Sequence, residues 1–99
     1  ATGHLLAVWN DHSGRFKVAR PKPISWARTP LVSAISKNEG RTWGHHKLLE
    51  KAPDHGFCYP AIHFTAAAVL LSYNAGGAGS RDCLDTQRVR WIPLSEMYA

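Results

Sequence analysis

Clusters of turn-forming residues divide this chain into short segments, and they constrain its fold more than any other feature. Such clusters of Gly, Pro, Asn, Asp and Ser lie at 10–14, 53–56 and 74–82. The three prolines between residues 20 and 30 exclude a regular helix or a central strand from that loop. The segments between the clusters are short and apolar, which is typical of strands. We therefore predict an all-β fold, an antiparallel β-meander without a helix of ordinary length.

Five or six strands are expected. The candidate segments are Leu5–Trp9, Leu31–Ile35, His45–Leu49, Phe57–Thr65, Val69–Tyr73 and Thr86–Pro93. Ala66–Ala68 favour a helix by propensity, but too few residues separate the neighbouring strands, so we predict a tight turn there. In the last strand Val89 and Trp91 alternate with Arg88 and Arg90. We expect these arginines to face solvent or a neighbouring strand, with a basic binding stripe as the alternative.

Composition limits the class of protein. Ninety-nine residues suffice for a single small domain over 1–99, and 44% apolar residues with 19% charged residues indicate a globular one. Four tryptophans in so short a chain are expected to be buried. Cys58 and Cys83 are too few for a disulfide framework and leave the cellular compartment undetermined; two buried thiols or one optional bridge are expected.

The net charge of +5 could indicate an anionic partner such as nucleic acid, an acidic sugar or a membrane surface. The basic residues are scattered, however, and no zinc finger or RNA-binding signature is present, so we expect no nucleic-acid partner. The longest apolar run, Ala66–Leu71, is far shorter than the ~20 residues of a membrane span, so no membrane association is expected.

The stretch SKNEGRTW, residues 36–43, connects the second and third predicted strands. Ser36 and Asn38 can accept hydrogen bonds from following backbone N–H groups. Gly40 can adopt the positive φ of a tight return, and Thr42 resumes the strand. Trp43 can then fold its indole over the turn. We expect a self-contained structural turn made by these five residues.

SKNEGRTW resembles an Asp-box, Ser-x-Asp-x-Gly-x-Thr-Trp, with Asn38 at the usual aspartate. With its neighbours LLAVWNDHSGRF, RTPLVSAI, CYPAIHF, VLLSY and RVRWIPL, it resembles the carboxyl-terminal part of sialidase-like proteins of the BNR/Asp-box class. That resemblance implies one blade of a six-bladed β-propeller plus parts of the neighbouring blades, about a third of a full propeller. It also implies a possible acidic carbohydrate ligand.

The resemblance also assigns two site residues. Arg28, in Arg-Thr-Pro-Leu, is similar to an arginine that binds the sialic acid carboxylate, a role that suits the two parallel donors of a guanidinium. Tyr59, in Cys-Tyr-Pro-Ala-Ile, is similar to the tyrosine nucleophile, whose hydroxyl needs a neighbouring base. A locally paired arginine and a packed tyrosine are the structural alternatives.

The chain departs from the family pattern in what catalysis requires. Two further arginines, a glutamate for the tyrosine and an acid/base aspartate all belong to earlier blades, and Asn74 follows VLLSY where a glutamate is common. Hydrolysis of a glycoside needs a separate proton donor. We therefore do not expect catalysis by a single copy; if the assembled protein is active, the resemblance implies an exo-sialidase-like glycoside hydrolase.

A zinc site is one hypothesis for the histidines. Four of them and one cysteine lie close in sequence: His45, His46, His55, Cys58 and His63. Their spacing matches no tetrahedral zinc pattern, and adjacent strand residues point to opposite faces. The glycine-rich stretch 74–80 is neither a phosphate-binding loop nor a dinucleotide fingerprint. We expect no metal and no cofactor.

Three functions remain open. The first is a carbohydrate-binding or vestigial sialidase-like module with Arg28 and Tyr59 near the sugar. The second is a structural assembly protein that kept the blade and lost the chemistry. The third is a glycosidase whose site is completed by other subunits. Because a blade buries its faces against other sheets, we expect a homo-oligomer, or else a compact sandwich.

Overall fold

Residues 2–99 of the computed structural model form two three-stranded antiparallel sheets. The strands are β1 (Leu5–Asn10), β2 (Leu31–Ser36) and β3 (Gly44–Glu50) in the first sheet, and β4 (Cys58–Phe64), β5 (Ala68–Asn74) and β6 (Gln87–Pro93) in the second. Two short helical segments complete the fold: a 3₁₀ turn at Pro23–Ser25 and the four-residue helix α1 at Leu94–Met97. The predicted all-β meander is confirmed, and every strand end lies within one residue of its predicted position. No propeller is formed by these residues.

The two sheets share one apolar core. All six residues of β2 are buried, and the inward side chains of β5, Val69, Leu71 and Tyr73, are completely inaccessible to solvent. The remaining core residues come from both sheets and from α1: Leu31, Ile35, Leu49, Phe57, Ala75, Ile92 and Met97. Each large apolar side chain buried in this way stabilises the fold by about 1.5–3 kcal/mol.

The turn between β4 and β5 forms where it was predicted. The Thr65 N–H donates to the Ala68 carbonyl at 2.9 Å, and the Ala68 N–H donates to Thr65 Oγ1 at 3.0 Å. These bonds satisfy the backbone of the turn locally. The antiparallel pairing of the strands on either side therefore outweighs the helix propensity of the alanines.

The expectation that the tryptophans are buried is wrong. Trp9, Trp26, Trp43 and Trp91 are exposed to 37%, 49%, 41% and 63% respectively. Phe57 and Tyr73 supply the buried aromatic rings instead, and they meet edge to face with centroids 6.2 Å apart.

The arginines of β6 face the first sheet. Arg88 Nη1 donates to Glu50 Oε2 at 2.6 Å, and Arg90 Nη1 donates to the Leu49 carbonyl at 2.9 Å. Both acceptors lie on β3, so the two arginines bridge the sheets and do not form a basic stripe. Val89 and Trp91, at the alternate positions, point away from the core.

Candidate functional site

The turn at 36–43 has the side-chain to backbone hydrogen bonds predicted for Ser36 and Asn38. Ser36 Oγ accepts from the Gly40 N–H at 2.8 Å, and Asn38 Oδ1 accepts from the Thr42 N–H at 2.9 Å. The amide of Asn38 adds a bond that a carboxylate would lack, because its Nδ2 donates to Thr42 Oγ1 at 2.8 Å. The asparagine therefore uses both ends of its side chain to close the turn.

Two further features complete this turn. Gly40 has φ +88°, as predicted, and Glu39 beside it also has a positive φ of 64°. A Cβ on Gly40 would lie 3.9 Å from the Trp43 ring, so the indole does fold over the turn. Trp43 nevertheless stays 41% exposed, so the turn has an apolar cover without a closed core.

Arg28 is held by a loop that is hydrogen-bonded to the segment connecting β3 and β4. The Arg28 N–H donates to the Ser25 carbonyl at 3.0 Å, and its own carbonyl accepts from the Phe57 N–H at 2.6 Å. Next to it, Thr29 Oγ1 donates to the Ala52 carbonyl at 2.9 Å. These bonds fix the loop against the start of β4, which brings Arg28 beside Cys58 and Tyr59.

A bulge presents Tyr59. The pairing of β4 with β5 shifts register between Cys58 and Ala61, and Tyr59 within that shift has a φ of 52°. Bulges re-aim side chains and are common beside functional sites. Tyr59 is consequently 65% exposed, although its strand neighbour Cys58 is buried.

The Arg28 guanidinium lies against two aromatic rings. Its Cζ is 5.5 Å from the ring centroid of Trp26 and 5.0 Å from that of Tyr59. Interaction first with the Cys58 side chain and then with that of Tyr59 raises the pKa of Arg28, so its charge is permanent. Its Nη1 is nevertheless buried without a hydrogen-bond acceptor. We call Trp26, Arg28 and Tyr59 the Arg28 site.

Unusual backbone geometry concentrates at the Arg28 site. Of the five residues other than glycine that have positive φ among residues 2–99, three are Trp26 (56°), Ala27 (58°) and Tyr59. Non-glycine residues in this region of φ cost of order 1 kcal/mol or more each, and they cluster at functional sites. The surrounding hydrogen bonds hold a conformation that a freely relaxing loop would leave.

The structure thus brings together the two site residues that the resemblance assigned, Arg28 and Tyr59, although they lie on different parts of the chain. It adds Trp26, which the sequence analysis did not single out. The motif gave no signal for Trp26 beyond its being an aromatic residue two positions before Arg28.

A second cluster lies between the sheets and also escaped the sequence analysis. The Tyr73 hydroxyl donates to Glu50 Oε2, the same oxygen that accepts from Arg88 Nη1. Burial, and then the bond to Glu50, raises the pKa of Tyr73 to about 12. Tyr73 is therefore a neutral hydrogen-bond donor that cross-links the sheets.

The carboxylates described next are bonded to groups other than Tyr59, so they do not supply the Arg28 site with the base that hydrolysis of a glycoside would need. Among residues 2–99, the carboxylate that accepts a bond from a tyrosine hydroxyl is Glu50, and its tyrosine is the buried Tyr73. Asp54 is paired with His55, with Oδ1 and Nδ1 2.8 Å apart, and Asp85 accepts from the Arg81 N–H at 2.7 Å. Tyr59 has no such base among residues 2–99, and activation of a tyrosine hydroxyl as a nucleophile requires one.

Grooves elsewhere on the molecule do not include Arg28. One of about 780 Å³ lies beside Leu48–Pro53, and another of about 750 Å³ lies between Leu5, Phe64 and Tyr98. A smaller groove of about 320 Å³ is lined by Ala27 and Thr29, the two chain neighbours of Arg28.

The cysteines and histidines form no metal centre in the described part of the chain. No three His, Cys, Asp or Glu side chains between residues 2 and 99 are grouped so that they could hold an ion. Cys58 and Cys83 are free, buried thiols, and burial followed by the proximity of Cys58 raises the pKa of Cys83. Nor does this part of the chain contain a helix long and apolar enough to cross a bilayer.

Comparison of the chain with protein-family models, with curated proteins and with solved structures finds no match.

Proposed function

We propose that this chain is a sialidase-like module that binds an acidic carbohydrate at the Arg28 site and does not hydrolyse it. The observation that carries the proposal is the placement of the Arg28 guanidinium, which is half-buried, is paired with no carboxylate among residues 2–99 and lies against the exposed rings of Trp26 and Tyr59. A ligand carboxylate would supply the anionic partner that the guanidinium lacks.

The neighbours of Arg28 suit a sugar acid. A guanidinium binds a carboxylate with two parallel hydrogen bonds, and these are stronger than neutral ones. Trp26 and Tyr59 are 49% and 65% exposed, so each offers part of an aromatic ring to the apolar face of a pyranose. The net charge of +5 favours approach of an anion. Because the two rings beside Arg28 stay largely exposed, we expect a dissociation constant on the order of 0.1–1 mM.

We further propose that the two sheets correspond to parts of adjacent blades of a sialidase-type propeller, in which residues 1–99 are one partial domain. Support comes from the meander order of each sheet and from the Asp-box hydrogen bonds between β2 and β3. Residues 2–99 do not hold carboxylates in the arrangement that the family uses for catalysis. We therefore favour a binding or vestigial role.

Titration calorimetry with sialic acid tests the binding proposal. We expect wild type to bind and Arg28→Ala to lose at least about tenfold in affinity, since a charge-assisted hydrogen bond contributes about 1.5–3 kcal/mol. Arg41→Ala is the matched control, because it removes the same charge at the opposite end of β2 and should bind as wild type does. The methyl ester of sialic acid, which has no carboxylate, should bind as weakly to wild type as the acid does to Arg28→Ala.

Equal binding by wild type and Arg28→Ala, or none by either, would remove the sugar proposal. A fluorogenic sialoside distinguishes binding from catalysis. Turnover by wild type that Tyr59→Phe abolishes would replace the proposal with a glycosidase completed between subunits.

A further inference from the structure

The outward surface of the second sheet carries no charged side chain over its two central rungs. Register places His63, Leu70 and Trp91 side by side in one rung, and Ala61, Ser72 and Val89 in the next. Directly opposed residues of antiparallel strands share a face. We call these six residues the uncharged face.

In β6 the charged side chains point inward and the apolar ones point outward, which is the reverse of an ordinary strand that borders water. A half-exposed strand normally directs its apolar side chains to the core and its charged ones to solvent. Here Arg88 and Arg90 point between the sheets, where each has an acceptor on the first sheet. Val89 and Trp91 point outward and are 64% and 63% exposed.

Exposed apolar side chains are common singly, but a patch in which they adjoin and charges are lacking indicates a binding surface. Trp91 is the most exposed of the four tryptophans, and Leu70 lies directly beside it in the sheet. Tryptophans that a partner buries are among the residues that dominate interface energetics. The uncharged face therefore has the composition of a surface that is covered by a partner.

The charge distribution selects the partner. Nucleic acid, an anionic membrane or an acidic protein would each need Lys or Arg on the contact surface, and the uncharged face has neither. Two copies that each carry +5 repel one another wherever charged surfaces meet. Through the uncharged face they would meet without placing like charges together. In a two-fold pairing the same patch meets itself, which requires just this absence of charge.

We propose that two copies of the chain pair through the uncharged face, with the Trp91 of each copy packed on the second sheet of the other. Strands of seven residues spaced about 4.8 Å apart give the whole outward surface of the second sheet, with the uncharged face at its centre, roughly 14 by 23 Å, about 300 Å² per copy. A standard interface buries about 800 Å² per partner. The pairing is therefore weak, with a dissociation constant of roughly 10–100 µM.

Sedimentation equilibrium between about 1 µM and about 1 mM tests the pairing. Wild type should pass from monomer to dimer within this range. Trp91→Lys and, as a second variant, Val89→Lys should stay monomeric throughout, since each places a charge opposite its own copy. Leu84→Lys is the control, because Leu84 is 41% exposed but lies in the loop before β6, and it should dimerise as wild type does. Circular dichroism identifies any variant that fails to fold.

Four results would overturn the proposal, and three of them concern the oligomeric state. The first is a wild-type chain that remains monomeric at every concentration. The second is dimerisation of folded Trp91→Lys or Val89→Lys with wild-type affinity. The third is assembly of wild type beyond the dimer, which would indicate head-to-tail contacts between different surfaces. Binding of monomeric wild type to neutral phosphatidylcholine vesicles would likewise replace a second copy with a lipid surface.

Discussion

Two arginine–tyrosine pairs in this molecule are close in composition and opposite in environment. In one, Arg88 and Tyr73 both donate to Glu50 Oε2, and the tyrosine is completely buried between the sheets. In the other, Arg28 lies 5.0 Å from the ring of Tyr59 at an exposed bulge, and its buried Nη1 has no acceptor.

The difference is the carboxylate. Glu50 gives both members of its pair a carboxylate partner, so that pair contributes to the stability of the fold and the charge of Arg88 is already neutralised. The Arg28 site has a permanent cation, two aromatic rings and an unsatisfied donor. We therefore expect Arg28, which the fold does not pair with a carboxylate, to be the arginine that binds an anion from outside.

Removing the carboxylate of the buried pair should give the largest effect. Glu50→Ala leaves the Tyr73 hydroxyl and the Arg88 guanidinium without their shared acceptor, and we expect the free energy of unfolding to fall by about 2–4 kcal/mol. Urea denaturation measures this loss, and Glu96→Ala on the exposed side of α1 is the control. A loss below about 0.5 kcal/mol would show that the cluster does not stabilise the fold.

The high pKa of Tyr73 predicts a pH dependence. Its pKa is about 12 in the folded chain against 10.0 for the free side chain, so between these values the folded state retains a proton that the unfolded chain loses. The contribution is complete below pH 10 and is lost as the pH rises towards 12, which amounts to on the order of 2 kcal/mol. Wild type should therefore lose that much more stability across this window than Tyr73→Phe, and Tyr59→Phe should behave as wild type does. Parallel pH profiles for wild type and Tyr73→Phe would contradict the assignment.

The turn at residues 36–43 is expected to stabilise the fold independently of both pairs. Asn38→Ala removes the acceptor for the Thr42 N–H and the donor to Thr42 Oγ1, and we expect a loss of about 1–2 kcal/mol. Thermal unfolding measures it against Arg41→Ala, which lies in the same turn. Sialic acid affinity should not change, and a parallel loss of affinity would mean that the turn supports the Arg28 site.

Arg28→Ala should have the smallest effect on stability. It removes two contacts between a cation and an aromatic ring, each contributing about 0.5–1 kcal/mol, but it also removes a buried donor that has no acceptor. We expect a net change below about 1 kcal/mol in urea denaturation, together with loss of sugar binding. A loss comparable to that of Glu50→Ala would make Arg28 a structural residue.

Local features of this fold could be predicted from the sequence. The strand ends follow from the turn clusters, and the hydrogen bonds of residues 36–43 are made within the turn itself, so spacing alone indicates them. Such features can be predicted from the residue types alone, without knowledge of the tertiary packing.

Features that depend on how the sheets pack could not be predicted. A period of two shows that Arg88 and Arg90 share a face of β6, but it does not show which face lies inside, and that choice leaves Trp91 exposed. Glu50 and Tyr73 meet only because β3 and β5 pack together. The bulge at Tyr59 contains no glycine or asparagine that would indicate a positive φ.

Side-chain NMR of the arginines follows both pairs in one spectrum and so compares them directly. On addition of sialic acid, we expect the guanidinium resonances of Arg28 to shift and saturate while those of Arg88 stay fixed. Unchanged Arg28 resonances at saturating sugar, or equal shifts at Arg28 and Arg88, would contradict it.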